Sequence, residues 1–191
     1  FIMSKKLLSF VIPAYCEQVN LRPTYQAIKS VMEKQLPDYS WEIIFVDDGS
    51  PDNSSQLLAE LSSQDTKCGV VELSRNFGKE IALSAGVNYT SGDAVICLDA
   101  DLQHPPDHVP DMVRKWEEGN EVVEMLRSHS KHDPWLRRLG SGLFYSILRL
   151  LSSTDILAKT TDFRLMDRKV VDALGKVEER QRMFRGIIDW L

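Results

Sequence analysis

Ala94-Val95-Ile96-Cys97-Leu98-Asp99-Ala100-Asp101-Leu102-Gln103-His104-Pro105-Pro106 is the stretch on which the fold turns. Its apolar opening has no alternation, which marks a strand covered on both faces, as in parallel sheets. Two carboxylates follow at once, at i and i+2. A carboxylate closing a buried strand is costly unless it is paired or meets a cation. Asp99, Asp101 and Gln103 offer hard oxygen atoms. These suit Mg²⁺ or Mn²⁺, ions that keep some water and take further ligands from substrate phosphates. The same residues also make an ordinary loop turn, and a lone Asp-x-Asp is a weak signal. His104 reads either as a further ligand or as a solvated loop residue.

Working outward, strands and helices alternate. Leu7–Ile12 is a strand closed by Pro13, and a helix capped by Asn20 runs to about Gln35. Trp41–Val46 is a strand that enters the turn Asp47-Asp48-Gly49-Ser50. Asp52 or Asn53 caps the next helix, to about Ser63. Gly69–Leu73 is a strand, Gly78–Tyr89 a helix, His108–Glu118 a helix and Glu121–Met125 a strand. Strands separated by helices of this length imply right-handed βαβ units. The predicted class is therefore α/β, a three-layer sandwich with a mostly parallel sheet and helices on both faces. After Arg127 the rhythm changes to a long helical stretch over His132–Leu151, a short strand at Phe163–Met166, and one or two helices over Lys169–Trp190.

Composition agrees with one globular domain. The chain has 191 residues, 43% hydrophobic and 27% charged, which excludes disorder, collagen and a disulfide scaffold. Cys16, Cys68 and Cys97 are odd in number and scattered without metal spacing. They read as small buried residues in a reducing compartment. The net charge of −5 is uneven: residues 1–124 hold 10 Lys/Arg and 20 Asp/Glu, residues 125–191 hold 13 and 8. A basic C-terminal third faces an anionic ligand or membrane surface, or is simply the solvated face of helices. No nucleic-acid partner is expected. The apolar run after Lys5 and Lys6 is too short for a signal peptide. Leu143–Leu151 is too short and too interrupted for a membrane span. Phe1 and Ile2 precede Met3 and are expected to be extraneous.

Open parallel sheets bind ligands at the carboxyl ends of their strands. Four polar clusters lie there: Pro13-Ala14-Tyr15-Cys16-Glu17, Asp47–Asp52, Ser74–Glu80 and Asp99–Pro106. Asp47 and Asp48 can accept hydrogen bonds from a nucleobase or ribose, or can shape a turn with Asp52 as cap. Tyr15 can stack on a base, and Pro13 fixes the loop's entry. Neither G-x-G-x-x-G nor G-x-x-x-x-G-K-[ST] occurs. Without a glycine cradle, a cation must carry more of a diphosphate's charge. Arg127 either helps or forms a surface ion pair.

Five motifs in order carry a resemblance: Val11–Glu17, Val46–Ser50, Arg75-Asn76-Phe77-Gly78-Lys79, Asp99–Pro106 and Thr161-Asp162-Phe163-Arg164-Leu165. Together they resemble the family-2 glycosyltransferases, above all the polyprenyl-phosphate branch of dolichyl-phosphate mannose synthase and bacterial undecaprenyl-phosphate glucosyltransferases. The resemblance spans about residues 7–190. It implies a GT-A fold and inverting, metal-dependent transfer of a hexose, glucose favoured. The donor would be a nucleotide sugar, UDP-glucose before GDP-mannose, and the acceptor a polyprenyl phosphate at the cytoplasmic face of the membrane. Acceptors that are soluble sugars or polysaccharides, and a non-catalytic nucleotide-sugar-binding module, stay open beside it. By resemblance, Pro13, Tyr15, Glu17, Val46 and Asp48 hold the nucleoside, with Ala14 and Asp47 in the same set. Asp99, Ala100, Asp101 and Gln103 surround the metal and diphosphate. Arg127 and Arg164 lie near phosphates, and Asp162 is the candidate catalytic residue. Residues 4–127 then form the donor half, and 128–191 an acceptor-side, membrane-proximal segment of the same domain. Cys16 stands where Asn is usual, and Thr161 where Gly is usual. Relatives in this branch continue into two transmembrane helices, so the chain is expected to be cut short. Homo-oligomers are possible in such a family.

Overall fold

The computed structural model describes residues 5–126 and 160–176. Its core is a six-stranded sheet. In chain order the elements are β1 (Leu7–Ala14), α1 (Leu21–Gln35), β2 (Ser40–Asp47), α2 (Ser54–Gln64), β3 (Cys68–Glu72), α3 (Lys79–Val87), β4 (Ala94–Cys97), α4 (Val109–Glu117), β5 (Val122–Leu126), β6 (Thr160–Asp167) and α5 (Arg168–Gly175). The strand order is β3-β2-β1-β4-β6-β5. β1 pairs parallel with both β2 and β4, and β2 with β3. β6 runs antiparallel to β4 and to β5. The predicted mostly parallel sheet is therefore present, with β6 its reversed member.

Order reverses between β1 and β4. Strands β1 to β3 grow to one side of that seam and the rest lie on the other. A crevice opens at such a seam, past the carboxyl ends of the two strands. β1 is longer than its apolar run suggested: it continues through Pro13 to Ala14, paired to Val46 and Asp47 of β2. Pairing to β4 stops at Val11, so Pro13 lies where β1 has already parted from β4.

Each sheet face buries its own cluster. Leu8, Phe10, Ile12, Ile43, Phe45 and Ile96 point to α1, α2 and α4, and meet Leu21, Ile28, Met32, Leu58 and Met112. Val11, Val46, Val95, Cys97 and Met166 point the other way, to Ala82, Leu83 and Val87 of α3 and Val170, Val171 and Leu174 of α5. The alternation along β1 (Phe10 and Ile12 one way, Val11 the other) is the period of two that a doubly covered strand needs. Gly86 sets how closely α3 approaches. A Cβ there would lie 2.5 Å from Val11 Cγ1 and 2.7 Å from Val46 Cγ2.

The caps depart in detail from expectation. Asn20 sits at the N-cap of α1 but makes no side-chain cap bond; its Nδ2 donates to Glu17 Oε2 instead. For α2 the Asp52 carboxylate accepts from Ser54 N–H at 3.0 Å while Asn53 occupies the cap position. The hydrogen bonds from Ser54 hold the Asp52 carboxyl below its ordinary pKa, against a smaller opposing effect of burial. The expected helix over 132–151 lies outside the described residues, as does the expected helical stretch Lys169–Trp190 beyond residue 176; its start is α5. Among the described residues, no helix is long and apolar enough to cross a membrane.

Candidate functional site

The crevice at the β1/β4 seam is an open cleft of about 340 Å³, lined by Pro13, Ala14, Tyr15 and Glu17 after β1, and by Asp99, Ala100 and Asp101 after β4. Asp48, Asn76, Gly78, Lys79 and Ala82 complete its wall. Its volume is at the small end of ligand sites.

Each loop is tied to the next by backbone groups. The loop after β1 is held to the loop after β2. Asp48 N–H donates to Ala14 O at 2.9 Å, Cys16 N–H to Ser50 Oγ at 3.0 Å and Glu17 N–H to Ser54 Oγ at 3.2 Å. Asp48 then fixes the loop after β3. Its carboxylate is 3% exposed and accepts N–H donors from Phe77 (2.8 Å) and Gly78 (2.9 Å), one on each oxygen. Gly78 has φ +95°, a conformation that suits glycine, and it hands the chain to α3 with Lys79 as first residue. Below the acidic turn, the buried Thr24 hydroxyl donates to Ala100 O at 2.6 Å. Asp101 Oδ1 accepts from Gln103 N–H at 3.1 Å across Leu102, which has φ +56°.

Lys79 joins the two halves of the sheet. Its ammonium contacts Asp99 Oδ1, and lies 2.5 Å from Asp162 Oδ2. The Asp162 side chain is 4% exposed, while those of Asp99 and Lys79 are partly open. Burial by itself lowers the Lys79 pKa, but the two carboxylates outweigh it, so the ammonium is held above its ordinary value. β6 supplies this partner from far along the chain: Arg164 sits opposite Cys97 in β4, which brings Asp162 to the carboxyl end of β4.

Not every sequence candidate meets at the cleft. Val46 is fully buried and packs toward α3. Asp47 is 3% exposed and accepts from Ser50 N–H at 3.1 Å, so it builds the turn and does not line the cleft. Gln103 is exposed outside the lining set. Arg164 is 1% exposed and faces Glu124 Oε1 at 3.2 Å; it lies on the same face of β6 as Asp162 but does not line the cleft. Arg127 lies outside the described residues. His104 packs its ring 6.2 Å from that of Phe163. Cys68 and Cys97 are buried as expected, but Cys16 is exposed. It has φ +58°, and the turn it makes leaves its thiol at the surface. Lys79, Asn76, Gly78 and Ala82 are lining residues that the candidate set lacked. The only signal for Asn76, Gly78 and Lys79 was membership of the Arg75–Lys79 cluster, and Ala82 had none.

A profile described as glycosyl transferase family 2 matches residues 9–175. The chain belongs to glycosyl transferase family 2. Among curated family members, the chain is 40% identical over 183 residues to the uncharacterized glycosyltransferase YkcC of Bacillus subtilis (strain 168), covering 96% of this chain and 56% of the relative. It is 35% identical over 184 residues to the bactoprenol glucosyl transferase of Shigella phage SfV, covering 96% of this chain and 59% of the relative. The chain thus spans little more than half the length of these relatives. Among solved structures it resembles glucosyl-3-phosphoglycerate synthase from Mycobacterium tuberculosis in complex with Mn²⁺, UDP-glucose and phosphoglyceric acid. That likeness has TM-score 0.60 and 21% identity, over 86% of this chain and 58% of the other. The fold is GT-A, as expected.

The family-2 cleft wall fits a divalent cation on its own chemistry. Glu17, Asp48, Asp99 and Asp101 line it against one cation, Lys79, among the described residues. An anionic diphosphate entering such a surface needs added positive charge. Among the described residues no three His, Cys, Asp or Glu side chains converge to hold a metal unaided.

Proposed function

We propose that this chain is the catalytic part of an inverting hexosyltransferase that moves glucose from UDP-glucose to a polyprenyl phosphate at the cytoplasmic face of a membrane. The observation that carries this reading is that Lys79 bridges Asp99 and Asp162 at the carboxyl end of β4, with Asp101 lining the same cleft. Likeness to a bactoprenol glucosyl transferase supports the sugar and the lipid carrier. The basic stretch around Lys131, Arg137, Arg138 and Arg149, which suits an interfacial helix near anionic lipid, lies outside the described residues.

Asp99 and Asp101 would hold Mg²⁺ or Mn²⁺. Bound there, the ion would supply positive charge to the departing diphosphate. The reaction forms a bond from an acceptor phosphate oxygen to the anomeric carbon and breaks the bond from that carbon to the donor diphosphate. The bonding pair leaves on the diphosphate, so UDP is released and the anomeric configuration inverts. A phosphate is already anionic at neutral pH, with a second pKa of about 6, so the attack needs little help from a base. The protein's task is positioning and charge stabilisation. Tyr15, Pro13 and Glu17 border the nucleoside end. Asp162, gripped by Lys79, orients the acceptor or takes its last proton on its carboxylate. Arg164, enclosed beside Glu124 on the same face of β6 as Asp162, and Arg127 are the candidates for a phosphate contact.

Calorimetry with UDP-glucose, GDP-mannose and UDP-GlcNAc, with and without Mn²⁺, tests the donor. Transfer of labelled glucose to a short polyprenyl phosphate tests the acceptor. Asp101→Ala is expected to abolish metal-dependent turnover. Full transfer by that variant in the presence of a chelator refutes the metal role. Transfer only to a soluble sugar moves the acceptor class, and binding without transfer to any acceptor leaves a nucleotide-sugar-binding module.

A further inference from the structure

We propose that Lys79 is a built-in counter-cation, holding the metal's electrostatic place between Asp99 and Asp162 until a diphosphate arrives and so coupling metal binding to donor binding. The inference rests on the reading of the cleft as a metal and diphosphate site, and adds the order in which its charges are exchanged.

Lys79 is the one cationic side chain that lines the cleft among the described residues, against four carboxylates. Its ammonium meets Asp99 and Asp162 at the same time. A lysine ammonium is a compact point charge with three donors and no fixed plane, so it can exchange one oxygen partner for another. Its position is fixed at the root and not at the tip. Asp48 clamps the Phe77 and Gly78 N–H groups, which sets where α3 begins. The four-carbon stem then spans the seam from α3 to β4 and β6.

A divalent ion that takes Asp99 must therefore displace this ammonium or share its carboxylate. Either way a second cation enters within a few ångströms of the first, and the repulsion is charged against metal affinity. A diphosphate removes that penalty. Its oxygens accept charge-assisted hydrogen bonds from the ammonium that Asp99 gives up, while Asp162 keeps its own contact. Metal alone then binds weakly, metal with nucleotide binds tightly, and the coupling acts equally in both directions. A lysine that only braced α3 against β4 and β6, and kept its contact to Asp99 throughout, would leave the effect of UDP on Mn²⁺ binding the same in wild type and Lys79→Gln.

The test is Mn²⁺ titration followed by electron paramagnetic resonance on the wild-type chain, Lys79→Gln, Lys79→Arg and Asp99→Asn, first alone and then with UDP. Expected without nucleotide is roughly tenfold tighter Mn²⁺ binding by Lys79→Gln than by wild type, with Lys79→Arg near wild type. UDP is expected to tighten Mn²⁺ binding strongly in wild type and much less in Lys79→Gln. Equal or weaker Mn²⁺ binding by Lys79→Gln overturns the proposal and leaves the function intact. Loss of Mn²⁺ binding in every variant, wild type included, with and without UDP, sinks the functional reading itself. Should Lys79→Gln not fold, ¹⁵N spectra of the wild-type lysine ammonium groups decide, with the signal assigned through Lys79→Arg. Its resonance should persist with Mg²⁺ alone and move with Mg²⁺ and UDP together. A resonance unmoved by both refutes the exchange.

Discussion

Replacing Asp48 by Asn separates a carboxylate that builds the site from one that touches ligand. The wild-type carboxylate accepts one N–H on each oxygen, from Phe77 and from Gly78, while 3% exposed. Asparagine keeps one acceptor and places an NH₂ group where the other stood, so one backbone N–H then faces a donor. A hydrogen bond to a charged group contributes about 1.5–3 kcal/mol, and a stranded buried donor costs about 1–3 kcal/mol. The two costs overlap, and a sum near 3 kcal/mol is expected. For a chain of this size that lowers Tm by about 6–12 °C. Urea unfolding gives the free energy directly, and wild-type m-values would show that the denatured state is unchanged. The variant should also bind UDP-glucose more weakly, because the clamp sets the start of α3 and hence the root of Lys79. Wild-type stability in Asp48→Asn, with only donor binding lost, would refute the clamp and return Asp48 to a purely ligand-facing role.

Three further outcomes follow from the geometry. Gly86→Ala gains about 1 kcal/mol of helix propensity but drives a methyl to 2.5 Å from Val11 and 2.7 Å from Val46, both stiff β-branched side chains. Overpacking of about 1–3 kcal/mol wins, so chemical denaturation should show net loss, and Val46→Ala in the same chain should recover part of it. Cys16→Asn places a residue tolerant of left-handed backbone at φ +58°, and a gain of about 0.5–1 kcal/mol is expected in a thermal melt. The Glu117 carboxyl is held below its ordinary pKa chiefly by Lys6, with Tyr39 helping and burial opposing. A depressed pKa adds stability above the unfolded value of about 4.5, and that stability is lost as pH falls through the folded one. Glu117→Gln should therefore cost about 0.5–1 kcal/mol at pH 7 for this partly exposed pair, and match wild type by about pH 3 in pH-resolved urea melts.

Where the chain's own covalent order sets the outcome, the sequence was readable. The run Ala94–Leu98 announced a strand buried on both sides, and Ala94–Cys97 is one, fully enclosed. The clusters after β1, β2, β3 and β4 do face one crevice, because parallel strands put all their carboxyl ends on one edge. What could not be read was direction. Val46 and Asp47 stand beside Asp48 in sequence, but the pleat turns Val46 into the α3 face, and Asp47 bends back on Ser50. Phe163–Met166 was legible as a strand but not as an antiparallel insertion between β4 and β5, since nothing local encodes a neighbour. That insertion brings Asp162 to Lys79, so the ion pair linking the two halves of the site was invisible from either segment alone. Arg164, two residues on, shares the face of Asp162 and is enclosed beside Glu124, a placement that likewise needed the neighbouring strands to be known.

The reversed strand also sets where the sheet's last two strands meet its carboxyl edge. β5 runs with β4 and ends at Leu126; β6 runs against it and begins at Thr160. The end of β5 and the start of β6 therefore lie at the same edge of the sheet as Asp99 and Asp101. Residues 127–159, outside the described residues, join those two strand ends in the sequence. They carry six Lys/Arg and two Asp, whereas four of the five charged residues lining the cleft are acidic. The described strands thus end and resume, on either side of this basic stretch of sequence, at the edge that carries the acidic crevice. Neither the charge asymmetry nor the strand order alone carries that placement. It follows because the one antiparallel strand sits next to the strand that bears the acidic turn.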